Sequence, residues 1–186
     1  LVMAKHMYRA VDTTVLMAIP LFILAGNIMT AGQTAKRLID TIQVLVGHIH
    51  GGMAITGVMA CIFFAAISGS SLATVAAVGS ILIPAMINAG YGTRFTLGLF
   101  TCAGSLGIMI PPSIPMILYG GIMDVSVTRQ FLAGIGPGLL LGLVLIVYAY
   151  LLSRRHGWRQ GGAISLKRVG AALRDSVWAL GLPVLV

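Results

Sequence analysis

Apolar runs separated by short polar connections make up most of this 186-residue chain. The hydrocarbon core of a bilayer is ~30 Å thick, and a helix needs ~20 apolar residues to cross it. The runs over about 13–29 and 131–152 approach or reach this length, so each predicts a spanning helix. The pattern therefore predicts an all-α, polytopic membrane protein.

An amphipathic pattern follows the first apolar run. Apolar residues recur there at helical spacing, whereas the polar residues lie mostly off that stripe. Such a helix is better suited to the membrane interface than to crossing it. His48 and His50 close the segment beside glycines, where water is near, so a proton relay or metal pair is the less favoured interpretation. The stripe consists of Leu38, Ile39, Ile42, Leu45, Val46 and Ile49, and the polar residues are Lys36, Arg37, Asp40 and Gln43.

The run from Met53 to Ala89 carries no charge and is interrupted only by the sequence SGSS, Ser68 to Ser71. Its first arm, Met53 to Ile67, makes only ~22 Å of helix, which is short of a comfortable crossing. A turn that reaches bulk water usually carries charge, and this one has none. The pattern therefore favours a re-entrant hairpin, with two short spanning helices as the alternative.

A second interruption lies in the uncharged run from Phe95 to Gly121, where the sequence reads GSLGIMIPPSIP. Proline removes a backbone donor and disfavours helix in its predecessor, so Pro111, Pro112 and Pro115 cannot all lie in one straight helix. Irregular backbone at membrane depth needs protein or a water-filled cavity for its hydrogen bonds. We expect a broken transmembrane helix beside something polar; a plain proline kink between packed helices is the alternative.

The lengths of the two segments predict that these interruptions meet. The helix from Leu97 to Ile110 is ~21 Å long, close to the length of the first hairpin arm, and both segments start from the same face of the membrane. The two interruptions should therefore lie at a similar depth.

The whole chain divides into seven predicted segments. They are a periplasmic connection with the first spanning helix (1–30), an interfacial arm helix (31–51), a re-entrant hairpin (52–93), a broken transmembrane helix (94–123), a transmembrane helix (124–153), a basic cytoplasmic loop (154–174) and the start of another transmembrane helix (175–186).

Neutral oxygens dominate the predicted meeting point. Carbonyls near Gly107 to Ile110 and several hydroxyls are hard donors suited to an alkali cation, and no carboxylate lies in the region. A proton-coupled carrier would normally place an acid or histidine at this depth, so sodium coupling is predicted. Free N–H groups near Leu72 and Ile114 suit a carboxylate-bearing substrate. Each hydroxyl also has a purely structural alternative, a bond to the preceding turn. The hydroxyls belong to Ser68, Ser70, Ser71, Thr74 and Ser113.

Composition supports a membrane protein, since 58% of the residues are hydrophobic and only 9% are charged. The net charge of +8 does not indicate nucleic acid, because the basic residues collect between apolar runs and are not interleaved with aromatics. Placing the basic loop in the cytoplasm puts nine basic residues inside and three outside, as the positive-inside rule requires. Cys61 and Cys102 are predicted to be small buried core residues, with no disulfide or metal implied.

Two other classes of function remain open at this point. A serine of the SGSS sequence could be the nucleophile of an intramembrane protease, but it would need a histidine at equal depth to take its proton. All four histidines lie in or beside polar connections. A passive channel or an assembly scaffold is the third class. In such a protein the two helix interruptions would lower stability without binding an ion or a substrate. The sequence predicts no enzyme.

Four ordered motifs resemble the large membrane subunit of tripartite ATP-independent periplasmic (TRAP) transporters, the DctM-like family. They are AIPLFILAG from Ala18, FFAAISGSSLATVAAVGSILIPAMINAGY from Phe63, GSLGIMIPPSIPMILYG from Gly104 and FLAGIGPGLLLG from Phe131. That subunit is about twice this length or more, with two inverted repeats, and this chain resembles the first repeat. The resemblance implies half of an elevator-type sodium symporter for organic acids such as C4-dicarboxylates or sialic acid, in a bacterial inner membrane.

The resemblance also implies partners and a site. The partners are a small TRAP membrane subunit, a periplasmic substrate-binding protein, the lipid bilayer and the organic acid; no cofactor is implied beyond sodium as the coupling ion. Carried over onto this chain, the tip and the break would form the first sodium site and one side of the substrate site. The sodium residues would be Ser68, Gly69, Ser70, Gly107, Ile110 and Pro112, and the substrate residues Ser70, Ser71, Thr74 and Ser113.

Overall fold

A computed structural model describes residues 14–31 and 34–158. These residues form helices joined by short turns, with no strand among them, so the all-α prediction is confirmed for this part. The helices are α1 (Thr14–Ala31), α2 (Thr34–Val46), α3 (Gly52–Ser68), α4 (Ser71–Asn88), α5 (Thr93–Gly104), α6 (Leu106–Met109), α7 (Ile114–Met123) and α8 (Val127–His156).

Helix α3 forms the centre of the molecule. It is apolar on every side and nearly all of its residues are buried, as expected for a helix surrounded by other helices. It contacts α2, α5, α6 and α8, and Phe64 is fully buried. The first arm of the predicted hairpin is therefore the core element around which the others pack.

Helix α4 returns from the turn after α3 and contains a π-helical turn over Val75–Gly79. Such turns are rare and occur mostly as single insertions in α-helices, often at functional sites. The turn lies one residue after Thr74, on the stretch that faces α5, where Val75 packs against Gly104. The two arms of the predicted hairpin are thus adjacent but differ in regularity.

Three helical stretches are long and apolar enough to cross a membrane: Ser71–Asn88, Thr93–Met123 and Val127–His156. Helices α1 and α3 carry shorter apolar stretches, so a crossing by α1 stays a prediction. The polytopic membrane class rests on these three stretches. Whether α3 and α4 re-enter the bilayer or cross it stays a prediction.

Several details differ from the sequence predictions. The broken helix begins at Thr93 rather than near Leu97, because the polar residues of its first turn extend the helix. Helix α2 ends at Val46, so Ile49 lies beyond it, and Leu45 is 42% exposed although it lies on the predicted apolar stripe. The predicted periplasmic connection before residue 14, most of the basic loop at 154–174 and the predicted helix start at 175–186 lie outside the described residues.

The prediction that both cysteines are buried is wrong for one of them. Cys61 is buried on α3, whereas Cys102 is exposed on α5. An apolar run predicts burial only from water, and a helix at the periphery of a membrane protein presents part of its apolar surface outward. Cys102 lies on such an outward surface.

Candidate functional site

The turn between α3 and α4, Ser68 to Ser71, is termed the tip. Helix α3 ends because Gly69 adopts a left-handed conformation (φ 59°), and its N–H donates to the Ala65 carbonyl at 2.9 Å. Ser70 is extended and is the N-cap of α4; its hydroxyl accepts from the Ala73 N–H at 3.5 Å. The sequence SGSS therefore ends one helix and begins the next within two residues.

The interruption between α6 and α7, Ile110 to Ser113, is termed the break. Ile110 and Ser113 are both extended, and the Pro111–Pro112 peptide bond between them is cis. The Ser113 hydroxyl is fully buried and donates to the Ile108 carbonyl at 2.7 Å. A side chain therefore satisfies one of the carbonyls that the prolines leave without a helical donor.

The tip packs directly on the break, so the predicted contact between the two interruptions is confirmed. The Ile114 N–H donates to the Gly69 carbonyl at 3.2 Å. A Cβ at position 69 would lie 2.7 Å from the Pro112 carbonyl oxygen, and one at position 107 would lie 2.8 Å from the Ser70 carbonyl oxygen. The two backbones approach this closely because both positions are glycine.

Three oxygen atoms converge at the base of the tip. The Thr74 hydroxyl donates to the Ser70 carbonyl at 2.8 Å, and the Ser68 hydroxyl lies 3.1 Å from the Thr74 hydroxyl and 3.3 Å from the Ser70 carbonyl oxygen. Ser68 and Thr74 are 1% and 0% exposed. These dipoles form a dry, neutral oxygen cluster, which is a setting that favours a cation over an anion.

The oxygen cluster consists of two hydroxyls and one carbonyl, so none of its members is ionisable. Within residues 14–31 and 34–158, no three His, Cys, Asp or Glu side chains come together as a metal site. His48 and His50 precede α3, whose 17 residues hold them ~25 Å from Ser68 at its other end. His156 stacks on Trp158, whose carbonyl accepts from the Gly51 N–H, so it lies at the same far end. No described histidine is therefore near enough to activate a serine at the tip.

The predicted site residues divide into two groups by exposure. Thr74 and Ser113 are buried, whereas Ser70 and Ser71 are half-buried at the outer side of the tip. Leu72, the next residue, is 83% exposed. The tip therefore has buried hydroxyl oxygens on one side and an exposed apolar residue at the start of α4.

One prediction about free backbone groups is wrong. The Ile114 N–H is not free for a substrate, because it donates to the Gly69 carbonyl. The Ile108 carbonyl accepts one hydrogen bond from Ser113, and the role of the carbonyls from Gly107 to Ile110 as cation ligands stays a prediction. The Ile110 side chain packs toward α8, where a Cβ at Gly138 would lie 2.9 Å from it. The two interruptions thus use part of their polar backbone to bind each other.

Sequence reasoning missed the glycines that bring other helices against the site. A Cβ at position 26 on α1 would lie 3.5 Å from the Ser68 Cα, and one at position 134 on α8 would lie 2.6 Å from the Met109 carbonyl oxygen. Gly134, Gly138 and Gly142 are spaced by four residues, a pattern typical of close helix packing in membranes. That spacing could have predicted the close packing of α8 from the sequence. No such spacing surrounds Gly26.

The fold and this site define a multi-pass helical membrane protein in which an interrupted spanning helix packs on a second interruption. Residues 1–186 match the family model of the tripartite ATP-independent periplasmic transporter, DctM component. The chain belongs to this family of TRAP transporter large permeases, as the motifs predicted.

Curated relatives agree with this assignment. The C4-dicarboxylate TRAP transporter large permease protein DctM of Pseudomonas aeruginosa is 46% identical over 99% of this chain and 43% of its own length. The ectoine/5-hydroxyectoine TRAP transporter large permease protein UehC of Ruegeria pomeroyi is 42% identical. The match covers 99% of this chain and 43% of the length of UehC. The 2,3-diketo-L-gulonate TRAP transporter large permease protein YiaN of Escherichia coli is 36% identical. The match covers 100% of this chain and 44% of the length of YiaN. The chain thus spans less than half the length of these relatives.

Proposed function

We propose that this chain is part of the large membrane subunit of a sodium-coupled secondary transporter that imports an organic acid across a bacterial inner membrane. The observation that carries the proposal is the packing of the tip on the break, which buries neutral oxygens between two helix interruptions. Each interruption would be costly in lipid, and the hydrogen bond from the Ile114 N–H to the Gly69 carbonyl offsets part of that cost. A coupling ion gives this arrangement a use.

Sodium fits the proposed ion site better than a proton does. The cluster at Ser68, Ser70 and Thr74 offers a carbonyl and two hydroxyls, and none of its hydrogen bonds involves a carboxylate or a histidine. Hard neutral oxygens in a dry pocket bind an alkali cation without a change of protonation. We propose that the backbone of Gly69, Gly107, Ile110 and Pro112 closes the pocket around this cluster.

We assign the substrate to the open side of the tip. Ser70 and Ser71 are half-buried at the start of α4, where helix N–H groups and the helix dipole favour an anion. Thr74 and Ser113 lie behind them and would shape the pocket rather than meet the substrate first. Relatives are named for C4-dicarboxylate, isethionate, ectoine and 2,3-diketo-L-gulonate, compounds that each carry a carboxylate or a sulfonate.

The proposed working unit is larger than this chain. It includes the rest of the large subunit, a small TRAP membrane subunit and a periplasmic binding protein that delivers the organic acid. We propose an elevator motion in which the re-entrant hairpin and the broken helix carry the substrate while α2 braces them. The described contacts of α2 with α3 are compatible with that bracing role.

The test is uptake into proteoliposomes that contain the full assembly, with the cognate binding protein and a panel of organic acids. We expect one acid or a few related acids to accumulate when an inward sodium gradient is imposed, and no accumulation in potassium. Accumulation driven equally well by a proton gradient without sodium would contradict the proposed coupling. Failure of every acid to accumulate, with the assembly intact, would contradict the transport function.

The protease alternative has a separate test. A serine-directed fluorophosphonate should leave the purified protein unlabelled, because no described histidine lies near the tip to take the serine proton. Labelling that is lost in Ser70→Ala would instead support the hydrolytic reading.

A further inference from the structure

A narrow groove runs between the start of α5 and the end of α8, away from the tip and the break. Its volume is about 260 Å³. The two helices are antiparallel here, since Phe95 lies against Tyr148 and Trp158 with ring centroids 6.1 and 5.4 Å apart. Neither the proposed transport site nor the family assignment gives this groove a role.

The groove has a charged mouth and an apolar body. Arg94 lines the mouth, and the walls beyond it include Phe95, Gly98, Cys102 and Leu145. Eight residues separate Arg94 from Cys102, so the groove follows α5 for ~12 Å, most of the ~15 Å depth of one leaflet. An amphiphile with an anionic head and an apolar tail matches this division.

Aromatic residues place the mouth at the membrane surface. Tyr91, Phe95 and Trp158 pack together beside Arg94, with 4.8 Å between the Tyr91 and Trp158 ring centroids. Clusters of tyrosine and tryptophan are typical of the headgroup level in membrane proteins. The polar mouth of the groove therefore lies where lipid phosphates are found.

The charges around the mouth favour an anion. Arg94 is exposed, and it has no ion-pair partner among the residues that the structure describes. Arg155 follows Tyr148 by seven residues, so it lies two turns further along the same side of α8 and adds positive charge at this end. Basic pockets between transmembrane helices on the cytoplasmic side commonly bind anionic lipid headgroups.

We propose that this groove binds one anionic glycerophospholipid, with its phosphate at Arg94 and one acyl chain along Phe95, Gly98 and Cys102. The charged mouth and the apolar walls together favour an anionic amphiphile over an apolar protein helix as the occupant. Gly98 makes room for the chain, since a Cβ there would have no atom within 4 Å.

The experiment uses the full-length subunit in nanodiscs that contain a trace of photoactivatable lipid, a diazirine on the acyl chain of either phosphatidylglycerol or phosphatidylcholine. After illumination, mass spectrometry maps the adducts on the peptide that carries Gly98 and Cys102. We expect at least threefold more adduct from the phosphatidylglycerol probe than from the phosphatidylcholine probe.

Two sets of variants distinguish recognition of the headgroup from binding of the acyl chain. Arg94→Gln should make the adduct yields of the two probes equal, and Arg94→Lys should keep part of the preference for phosphatidylglycerol. The control is Arg129→Gln, which removes an exposed arginine in the first turn of α8 and should leave both yields unchanged. Gly98→Leu should lower the adducts of both probes at least fivefold. Its control is Gly136→Leu, because position 136 also has open space and lies outside the groove.

Three outcomes would overturn the proposal. Equal labelling by both probes in the unmodified protein would show that ordinary boundary lipid fills the groove without regard to charge. Labelling that Gly98→Leu leaves unchanged would place the acyl chain elsewhere. Absence of adducts on this peptide, with labelling elsewhere on the subunit, would show that another protein segment covers the groove.

Discussion

Glycine at two positions sets how closely the tip can approach the break. Gly69 needs a left-handed backbone to end α3 and also faces the Pro112 carbonyl, so a side chain is disfavoured there twice. Gly107 is helical and faces the Ser70 and Ser71 backbone. A methyl group at position 107 would test the approach alone, without a change in the required backbone conformation.

Gly107→Ala should therefore separate the tip from the break. A Cβ at 2.8 Å from backbone atoms cannot be accommodated by a side-chain rotation, so we expect a loss of about 1–3 kcal/mol in stability. Sodium-dependent uptake should fall at least tenfold in the full assembly. Thermal unfolding in detergent and uptake into proteoliposomes measure the two effects.

Gly136→Ala is the matched control, since it is also helical but meets no atom within 4 Å. It should keep full uptake and gain up to about 1 kcal/mol from helix propensity. If both variants transported alike, the close approach of tip and break would have no functional role.

The Thr74 hydroxyl is the most direct residue-scale test of the oxygen cluster. Thr74→Val keeps the shape of the side chain but removes the hydroxyl that joins Ser68 to the Ser70 carbonyl. The loss of one such polar contact is worth about 1.4 kcal/mol, so the sodium concentration for half-maximal uptake should rise roughly tenfold.

Thr101→Val controls for the helix itself. Thr101 donates to the carbonyl four residues earlier at 2.8 Å, as Thr74 does, but it is exposed on α5. The sodium dependence of this variant should be unchanged. A shift of similar size in both variants would mean that the hydroxyl acts on helix geometry and not on the ion.

At the scale of whole elements, the lengths of the helices bring the two interruptions together. Helix α3 has 17 residues, and the stretch from Thr93 to Met109 also has 17, so each covers ~25 Å from its start. Both stretches begin at the end of the molecule where Gly51 bonds the Trp158 carbonyl and Phe95 packs on Trp158. Equal arms from one end place the tip and the break side by side.

The same end of the molecule joins α3 to α8. The Gly51 N–H donates to the Trp158 carbonyl at 3.0 Å, and a Cβ at position 51 would meet the Ser153 side chain and lie 3.2 Å from the Ala149 carbonyl oxygen. Gly51 is also left-handed, with φ of 73°. It therefore combines a conformational requirement with a packing requirement.

Gly51→Ala and Gly90→Ala should separate these two requirements. Gly90 has a φ of 85° but no atom within 4 Å of a Cβ, so alanine there costs only about 1–2 kcal/mol of backbone strain. Gly51→Ala should cost an additional 1–3 kcal/mol or so through displacement of α8. Thermal unfolding of the detergent-solubilised protein measures both, and equal shifts would mean that α8 does not depend on this contact.

How much the sequence predicts also depends on scale. The two interruptions and their contact were predictable, because proline and glycine act on the local backbone and an uncharged run fixes arm length. The hydrogen bond from Ile114 to Gly69 was not, since it requires the relative orientation of two helices. The exposure of Cys102 was not predictable either, because an apolar residue in a membrane helix faces protein or lipid equally well.

At the scale of the whole molecule, apolar side chains are exposed in two different settings. Leu72 is 83% exposed beside the buried oxygens of the tip, and the middle of α8 exposes Leu140 and Leu143. The relatives are more than twice as long as this chain. Lipid is a suitable environment for the exposed leucines of α8. The exposed Leu72 lies beside buried polar atoms, and such a position suits a surface that another part of the full-length subunit covers.

The position of the tip relative to the bilayer follows from what lies beyond the break. Helix α7 continues for 10 apolar residues, ~15 Å, before the exposed Asp124. If the tip reached bulk water on that side, the break would be there too, and α7 would project beyond the membrane with its apolar side chains in water. We therefore expect the tip to end inside the bilayer as a re-entrant hairpin.

Leu72→Cys tests this expectation in a full-length subunit whose other reactive cysteines, Cys102 included, are replaced. A membrane-impermeant maleimide added from the periplasmic side should label position 72 to an extent that changes at least fivefold when sodium and substrate are added, because only a gated cavity leads to the tip. Asn88→Cys, exposed at the opposite end of α4, should be labelled only from the cytoplasmic side and at a constant rate. Constant labelling of position 72 from the periplasm would place the tip in open water, and α3 and α4 would then be two short spanning helices.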